Sequence, residues 1–244
     1  MKLVRIASTV ILSLILSSTF ALAGNKKIMT VRAAKIIAER GIVESIYGLK
    51  IRSTESVENM IAAGFEGKTE VKTEAEIRGI KISEIVYDAE KDIAQATATI
   101  RLDKLTNIDG QEIDFKGKTF TRVGFATSTP AMATPLKALR AAELDAYKQL
   151  AKRIVGFTLE SQTTVENYIL TSDVVKSKVL ATIYLSRVTD YGWDPTGDAY
   201  VKMAINTTEV SEILGQQIID VDEVIEVEGQ GAQGDDFTKA KGSK

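Results

Sequence analysis

The apolar positions of this chain change from a helical to a strand period at a glycine. Before Gly156 they recur at spacings of three and four, which predicts one buried stripe of an amphipathic helix. After Gly156 the period becomes two, which predicts a strand with one face on a core. The helical stripe consists of Leu139, Ala142, Ala146, Leu150 and Ile154, and the alternating positions are Phe157, Leu159, Ser161, Thr163 and Val165.

The same change of period occurs earlier in the chain. Residues 32–59 align with residues 140–167 without a gap, at a constant offset of 108 (140 − 32). Gly48 occupies the place of Gly156, and the apolar stripe before it is Ala34, Ala38, Ile42 and Ile46. Because the two segments share their stripe, their glycine and their register, we expect two copies of one small domain.

Each copy is predicted to continue into a β-hairpin. The strand "GIKISEIVYD" turns at "AEKD" and returns as "AQATATI", and "ATIYLSRVTDYG" turns at "WDPTGD" and returns as "AYVKMAI". Residues 165–182, before the second hairpin, fit either a short helix or an extended strand. In both first strands the apolar spacing slips from two to three, which predicts the same β-bulge; the positions are Ile80, Ile82 and Ile85 in one copy and Ile183, Leu185 and Val188 in the other.

The predicted fold class is α+β, with two tandem copies of a small domain, each an amphipathic helix packed on an antiparallel β-sheet. The first repeat spans residues 24–105 and the second spans residues 134–214. Residues 106–133 are interpreted as a linker with a β-hairpin, because Asp-Gly and Lys-Gly pairs punctuate its alternating runs. Residues 215–244 are interpreted as an acidic, largely disordered tail, since their final part has few apolar side chains.

Residues 1–23 have the order of an export signal. Lys2 and Arg5 precede a short apolar run, and the small residues A-L-A occupy positions 21–23. This order predicts cleavage after Ala23, while an uncleaved membrane anchor is the alternative. The predicted location is therefore the periplasm, with outer-membrane association or the cell surface as further destinations of an exported protein.

The composition excludes several kinds of chemistry. The chain has no cysteine and no histidine, which excludes disulfides, thiolate or imidazole metal sites, a lipid anchor on cysteine and Ser-His-Asp catalysis. Without residues 1–23 there are 29 basic residues (31 − 2) against 33 acidic ones. A surface that tracks phosphates is not expected from this balance, so nucleic acid is not a predicted partner.

Two remaining polar patterns are weak candidates for chemistry. Ser172 and Lys176 are four residues apart, whereas Ser-Lys enzymes of the penicillin-recognising type use a spacing of three. The acidic run "DVDEVIEVE" at residues 220–228 offers carboxylates to calcium, but its alternation with valine and isoleucine favours an exposed edge strand or a solvated linker. We therefore predict no catalytic residues, no metal site and no cofactor, and expect that the protein is not an enzyme.

Aromatic residues cluster around one predicted turn. Tyr191, Trp193 and Tyr200 flank the hairpin turn "WDPTGD" or lie within it. Aromatic side chains at such a tip can stack on sugars or dock a partner, so these three residues are the candidate interaction site. Packing of the same side chains over the domain's own core is the alternative, and the pattern favours it.

The second helix and strand carry a motif of the form R-A-A-x-x-D-A-Y-x-x-L-A, followed by a glycine and by T-T-V. The matching residues are Arg140, Ala141, Ala142, Asp145, Ala146, Tyr147, Leu150, Ala151, Gly156, Thr163, Thr164 and Val165. Through this motif residues 124–205 resemble the LPP-twenty lipoprotein family, which includes FlgP-like flagellar proteins associated with the outer membrane. The resemblance implies a compact α+β domain that serves envelope or flagellar architecture, with no catalytic residues to transfer.

The chain departs from that family in two respects. Family members are commonly lipidated at an N-terminal cysteine, which is missing here, so a lipid anchor is not carried over. Many members have one copy of the domain, whereas this sequence predicts two, the first copy keeping Arg32, Ala33, Ala34 and Gly48 but having Ile37 in place of the aspartate and Glu39 in place of the tyrosine.

Together these observations predict an exported, non-enzymatic structural or assembly protein of the bacterial cell envelope. It would act through protein–protein contacts with envelope or flagellar proteins or with further copies of itself, because antiparallel sheets leave edges that pair with other chains. The alternative is a periplasmic ligand-binding module for glycan, peptidoglycan or a small apolar ligand, held in a cleft between the paired domains.

Overall fold

The computed structural model describes residues 26–46, 79–106, 112–170 and 173–233 of the chain. Over these ranges the protein is α+β, with helices packed on three antiparallel sheets, which confirms the α+β part of the predicted fold class. The predicted export signal, Gly48 and the predicted strand at residues 49–57 lie outside the described residues.

The first half of the chain places a helix on a three-stranded sheet. Helix α1 covers residues 26–46, and its predicted stripe of Ala34, Ala38, Ile42 and Ile46 is buried. Strands β1 (Lys81–Asp88), β2 (Ile93–Thr106) and β3 (Glu112–Thr127) form the sheet in the order β1-β2-β3. From Ala94 to Ile100 every second residue of β2 is buried, as the alternating sequence predicts.

In the second half a long helix again precedes the strands of a three-stranded sheet, and shorter helices and strands are described between them. A 3₁₀ turn at Pro130–Met132 leads into α2 (Ala133–Val155), followed by β4 (Thr158–Leu159), α3 (Val165–Ile169) and α4 (Asp173–Leu185). Then come β5 (Arg187–Trp193), β6 (Ala199–Asn206), α5 (Thr207–Leu214), β7 (Ile218–Ile219) and β8 (Val224–Gly231). The sheets are β5-β6-β8 and the two-stranded β4-β7.

The two three-stranded sheets have matching strand registers. In the first sheet Ala96 of β2 pairs with Gly124 of β3, and in the second Val201 of β6 pairs with Gly229 of β8, an offset of 105 on both strands (201 − 96 and 229 − 124). The edge strands match as well, because the pairing slips between Ile82 and Glu84 in β1 and between Val188 and Asp190 in β5. The slip in β1 lies where the sequence predicts the bulge, between Ile82 and Ile85. The slip in β5 lies after Val188 and not between Leu185 and Val188, because the helix extends to Leu185, so the position predicted for the second copy is wrong.

The segment interpreted as a linker forms the third strand of the first sheet. β3 pairs with β2 along most of its length, from Thr127 opposite Ile93 to Glu112 opposite Thr106. The alternating residues of β3 bury one face, including Phe115 and Phe120, and this burial makes the segment part of the core. The predicted hairpin within residues 106–133 is therefore replaced by one between β2 and β3, whose connecting residues 107–111 are outside the described residues.

The segment interpreted as a disordered tail also contributes a strand. β8 buries Ile225 and Val227 and exposes the glutamates between them, so the alternation of the acidic run places one face on the core. Of the two interpretations of that run, the edge strand is the one present, since β8 is the last strand of its sheet. Residues beyond 233 lie outside the described residues.

The strand predicted after Gly156 is shorter than expected. Only Thr158–Leu159 is extended in a sheet, because Gln162 has a φ of 63° and the chain turns back so that the N–H of Leu159 donates to the carbonyl of Thr163 at 2.8 Å. The segment after it is helical, as α3 and α4, and Ile183 and Leu185 belong to the end of α4 instead of the following strand.

Candidate functional site

The three aromatic residues singled out from the sequence lie in one cleft between the two hairpins. This aromatic cleft has a volume of about 340 Å³. One wall comes from β1, β2 and their turn, and the other from β5 and β6. Its lining residues are Val86, Asp88, Lys91, Ile93, Gln95, Tyr191, Gly192, Trp193 and Tyr200.

The β5–β6 hairpin presents the aromatic side chains through its register. Gly192 pairs with Tyr200, and the Tyr200 ring lies across the glycine so closely that a Cβ at position 192 would be 2.8 Å from the tyrosine oxygen. The turn is fixed by Asp194, whose Oδ1 accepts the N–H of Thr196 at 2.9 Å and the N–H of Asp198 at 3.0 Å.

The opposite hairpin is fixed in the same way. Oδ1 of Asp88 accepts the N–H of Glu90 at 2.9 Å and the N–H of Lys91 at 3.1 Å. Asp88 and Asp194 are therefore equivalent turn residues, each at the end of the first strand of its hairpin. Both walls of the cleft are held by side-chain hydrogen bonds to backbone, which limits the freedom of their tips.

Tyr191 joins the two walls. Its hydroxyl donates to Oε1 of Gln95 on β2 at 2.7 Å, and its ring centroid is 4.4 Å from that of Phe125 on β3. Burial raises the pKa of Tyr191, and the nearby carboxylates of Asp88 and Asp190 raise it further. The phenol therefore stays protonated near neutral pH and continues to donate to Gln95.

Trp193 and Tyr200 form the aromatic surface of the cleft. The indole N–H of Trp193 donates to the carbonyl of Pro135 at 3.1 Å, which anchors the ring at the start of α2. The ammonium of Lys91 lies 5.8 Å from the Trp193 ring centroid, and that of Lys202 lies 5.6 Å from the Tyr200 centroid. Tyr191, Trp193 and Tyr200 are all half-buried, so each ring both packs within the protein and contributes surface to the cleft.

No pattern in the sequence predicts that β1, β2 and their turn supply a wall of the aromatic cleft. Asp88, Lys91 and Gln95 belong to a hairpin that was recognised, but its approach to a hairpin about a hundred residues later leaves no local pattern. The equivalence of the turns "AEKD" and "WDPTGD" is the one signal that would have directed attention to this second tip.

A buried charged cluster joins the two halves beneath the sheets. Arg122 of β3 is only 5% exposed, and its guanidinium carbon lies 4.5 Å from the Tyr147 ring centroid and 4.7 Å from the Tyr184 centroid. Its Nε donates to Oγ of Ser45 on α1 at 2.7 Å. Burial lowers the pKa of Arg122 to about 10, and nearby carboxylates oppose this, so the side chain is charged at neutral pH.

Two buried glutamates, Glu44 and Glu143, lie near Arg122 and pair with a second cation, Arg140. Arg140 donates from Nη1 to Glu143 at 2.6 Å and from Nη2 to Glu44 at 3.3 Å. Burial raises the pKa of Glu44, while Arg140 and Arg40 oppose that rise. The cluster thereby makes contacts among α1, α2, α4 and β3.

The free edge of β8 is covered by α2. Oδ2 of Asp145 accepts the N–H of Gln230 at 3.1 Å, and Nε2 of Gln149 donates to the carbonyl of Glu228 at 2.9 Å. These bonds use backbone groups of an edge strand that would otherwise pair with another chain. Asp145, the aspartate of the family-like motif, is therefore an edge-capping residue in this structure.

The edge of β1 has no such cover among the described residues. β1 pairs with β2 on one side, and no described strand pairs on its other side. Ile85 and Val86 are 43% and 47% exposed, which is high for large apolar side chains in a strand. The edge runs directly into the aromatic cleft, since Val86 and Asp88 line that cleft.

The remaining candidates do not converge on a reactive centre. Within the part of the chain that the structure describes, no group of three or more acidic side chains is placed to hold a metal ion. Ser172 lies outside that part, so its distance from Lys176 is not defined. A second, open cavity of about 840 Å³ between β3 and α5 is lined mainly by polar side chains such as Lys116, Glu160 and Glu212.

The described helices are too short or too polar to serve as membrane spans. Comparisons of the chain with models of protein families, with curated proteins and with solved structures find no match.

Proposed function

We propose that this chain is an exported, non-enzymatic structural or assembly protein of the bacterial cell envelope, and that it acts through protein–protein contacts. The observation that carries the proposal is that two outer strands, β8 and β1, differ in whether a helix covers their free edge. α2 caps the edge of β8 with Asp145 and Gln149, whereas the edge of β1 carries the exposed side chains of Ile85 and Val86. A sheet edge of this kind accepts a strand from another chain.

We further propose that the two halves are tandem copies of one ancestral domain. The sheets share strand order and register, and the helices match at an offset of 108, since Gly124 meets Ala34 and Ala38 as Gly229 meets Ala142 and Ala146. The capping aspartates of the two hairpins also correspond. A chain that caps the outer edge of β8 and leaves the outer edge of β1 uncapped suits addition of further chains at β1.

The resemblance to the LPP-twenty family supplies the rest of the proposal. With the export signal predicted at residues 1–23, it supports our proposal of a periplasmic location, with outer-membrane association and a flagellar role as further expectations. Deleting the gene and measuring motility, flagellar number and outer-membrane integrity tests this part separately from the contact surface. Normal motility with altered envelope integrity would keep the envelope role and remove the flagellar one.

The β1 edge is tested with a charge placed on it. Ile85→Lys introduces a lysine at the strand edge, which opposes pairing with another strand. Val224→Lys is the matched control, because Val224 is a valine of similar exposure, 46%, on the already capped strand β8. Sedimentation velocity over a concentration series measures self-association, and cross-linking in cells followed by mass spectrometry identifies envelope partners.

We expect Ile85→Lys to lose the self-association or the cross-links that the unchanged protein shows, and Val224→Lys to keep them. The proposal fails if the exported protein is monomeric at high concentration and cross-links to no envelope protein. It also fails if both lysine variants behave like the unchanged chain, because the open edge would then not be the contact surface.

A further inference from the structure

We propose that the aromatic cleft binds an uncharged pyranose ring of a glycan. The cleft takes Val86 and Asp88 of β1 into one wall, but Ile85, on which the test of the assembly role rests, does not line it. Its volume of about 340 Å³ lies near the lower end of small-molecule sites, which begin at about 300 Å³. A cleft of this size suits one or two sugar rings rather than a long polymer groove.

The aromatic surface provides the apolar part of such a site. A pyranose has one face of C–H groups, which packs on the face of an aromatic ring and is thereby removed from water. Trp193 and Tyr200 offer two half-buried rings on the same wall, and Val86 adds an exposed apolar side chain opposite them. Gly192 allows the Tyr200 ring to lie across the hairpin, because a side chain at position 192 would meet the ring.

The polar groups of the cleft have hydrogen-bonding capacity to spare. Gln95 uses its Oε1 to accept from Tyr191, which leaves both Nε2 hydrogens without a partner among the described residues. Asp88 uses Oδ1 for the turn and leaves Oδ2. The ammonium of Lys91 and the hydroxyl of Tyr200 likewise make no hydrogen bond within the described ranges. Donors and acceptors placed around an aromatic wall match the hydroxyl groups around the rim of a sugar.

The charges at the cleft favour an uncharged ligand. Asp88 and Lys91 contribute one negative and one positive charge on the same wall, and the other lining residues carry no charge. An anionic ligand would meet Asp88 and a cationic one would meet Lys91. A neutral sugar avoids both repulsions and can bond to both groups.

Hydrogen bonds within the protein fix the shape of the cleft before a ligand binds. Tyr191 bridges the walls through Gln95, Trp193 is anchored to Pro135, and each hairpin turn is fixed by its aspartate. Because these groups are ordered before binding, less conformational entropy is lost when a ligand enters. This arrangement distinguishes the cleft from an accidental gap between mobile loops.

Trp193 makes the proposal directly measurable, since it is the only tryptophan of the chain. The exported form of the full protein is titrated with the trimer of N-acetylglucosamine, a soluble neutral pyranose oligomer, and with sucrose as an osmotic control. We expect a saturable change in tryptophan emission with the trimer, with a dissociation constant between about 0.1 and 1 mM. Isothermal titration calorimetry provides a second readout that does not depend on Trp193.

Two substitutions assign the binding to the cleft. Tyr200→Ala removes one aromatic face and Gln95→Ala removes the free amide, and each is expected to weaken binding at least tenfold. Tyr168→Ala is the matched control, because Tyr168 is a half-buried tyrosine of α3 outside the cleft. Circular dichroism and the thermal midpoint establish that each variant is folded before it is titrated.

The proposal is overturned if the trimer produces neither an emission change nor heat at concentrations up to about 10 mM, or if Tyr200→Ala binds it as well as Tyr168→Ala does. A sugar-binding result leaves the assembly role to be decided by Ile85→Lys, and failure of that variant to alter association leaves the sugar titration unaffected. The two proposals therefore fail separately.

Discussion

Gly229 of β8 lies directly against the backbone of Ala146 in α2, with no space between them for a methyl group. The same relationship joins Gly124 of β3 to Ala38 of α1. In each half, small residues on the helix and a glycine on the third strand let the backbones approach closely. This contact sets how the helix lies on its sheet, and thus where the hairpins and the cleft are placed.

Replacing Gly229 by alanine is therefore expected to destabilise the fold by about 2–4 kcal/mol, since the added Cβ would collide with the backbone of Ala142 and Ala146 and backbone atoms do not move aside cheaply. Urea unfolding followed by far-UV circular dichroism measures the loss. Gly156→Ala is the control, because Gly156 has a φ of −76° and a Cβ there would be 3.5 Å from its nearest neighbours. Equal stability of the two variants would contradict the close packing of β8 on α2.

The buried charged cluster yields a prediction about Arg122. Arg122→Lys keeps the charge but loses the planar group that lies between Tyr147 and Tyr184 and the bond from Nε to Ser45. We expect a loss of about 1–3 kcal/mol in the free energy of unfolding, measured by urea denaturation. Arg187→Lys, at an exposed position of β5, is expected to change it by less than about 0.5 kcal/mol. An unchanged midpoint for Arg122→Lys would mean that charge alone holds the cluster.

Elements with a local period could be predicted, and contacts between distant elements could not. The stripe ending at Ile46, the hairpins and the bulge in β1 follow from spacings within a few residues. β3 and β8 were misinterpreted because a strand's sequence does not identify the strand with which it pairs. Arg122 was passed over for a related reason, since its burial depends on tyrosines supplied by α2 and α4.

In the aromatic cleft, too, local patterns could be predicted and contacts between distant residues could not. Tyr191, Trp193 and Tyr200 could be singled out because three aromatic residues around one turn are visible in the sequence. Gln95 could not, because its role arises from a hydrogen bond to a residue 96 positions away. Half of the candidate site was therefore accessible to pattern analysis, and the other half required the packing of one hairpin on the other.

Asp92 leads to a prediction about acid stability. It is 8% exposed and has a φ of 50° at the end of the β1–β2 turn. Burial opposes its ionisation, but four hydroxyl groups donate to its carboxylate and lower its pKa to about 2. The donors are Thr30 at 2.9 Å, Tyr87 at 3.0 Å, Ser128 at 2.6 Å and Thr129 at 2.8 Å. The ionised form thus joins α1, β1 and the end of β3.

Because the pKa of Asp92 is lower in the folded protein than in the unfolded chain, its ionised form stabilises the fold above pH 4. That contribution, up to about 2 kcal/mol, is lost as the pH falls through 4 towards 2. We expect Asp92→Asn to be less stable at pH 7 and to lose less stability between pH 5 and pH 2.5 than the unchanged protein. Urea denaturation at a series of pH values measures the free energy of unfolding of each variant. Asp103→Asn, at an exposed position of β2, is the control. Parallel pH curves for Asp92→Asn and the unchanged chain would contradict the role of the hydroxyl groups.

The cap on the β8 edge leads to the last prediction, which concerns aggregation. Asp145→Ala removes the acceptor for the N–H of Gln230 and also the partner of Gln149, whose amide bonds to it at 2.8 Å. We expect a small loss of stability, about 1 kcal/mol, because the freed groups are solvent-accessible. The larger effect is expected in static light scattering on prolonged warming, since an uncapped edge strand offers its backbone to other chains. Lys148→Ala, one helical turn along α2, is the control and is expected to scatter like the unchanged protein. If Asp145→Ala scattered no more light than the unchanged protein, the edge of β8 would be protected by its twist or its charges and not by Asp145. The contrast between β8 and β1, which supports assembly through β1, would then be weakened.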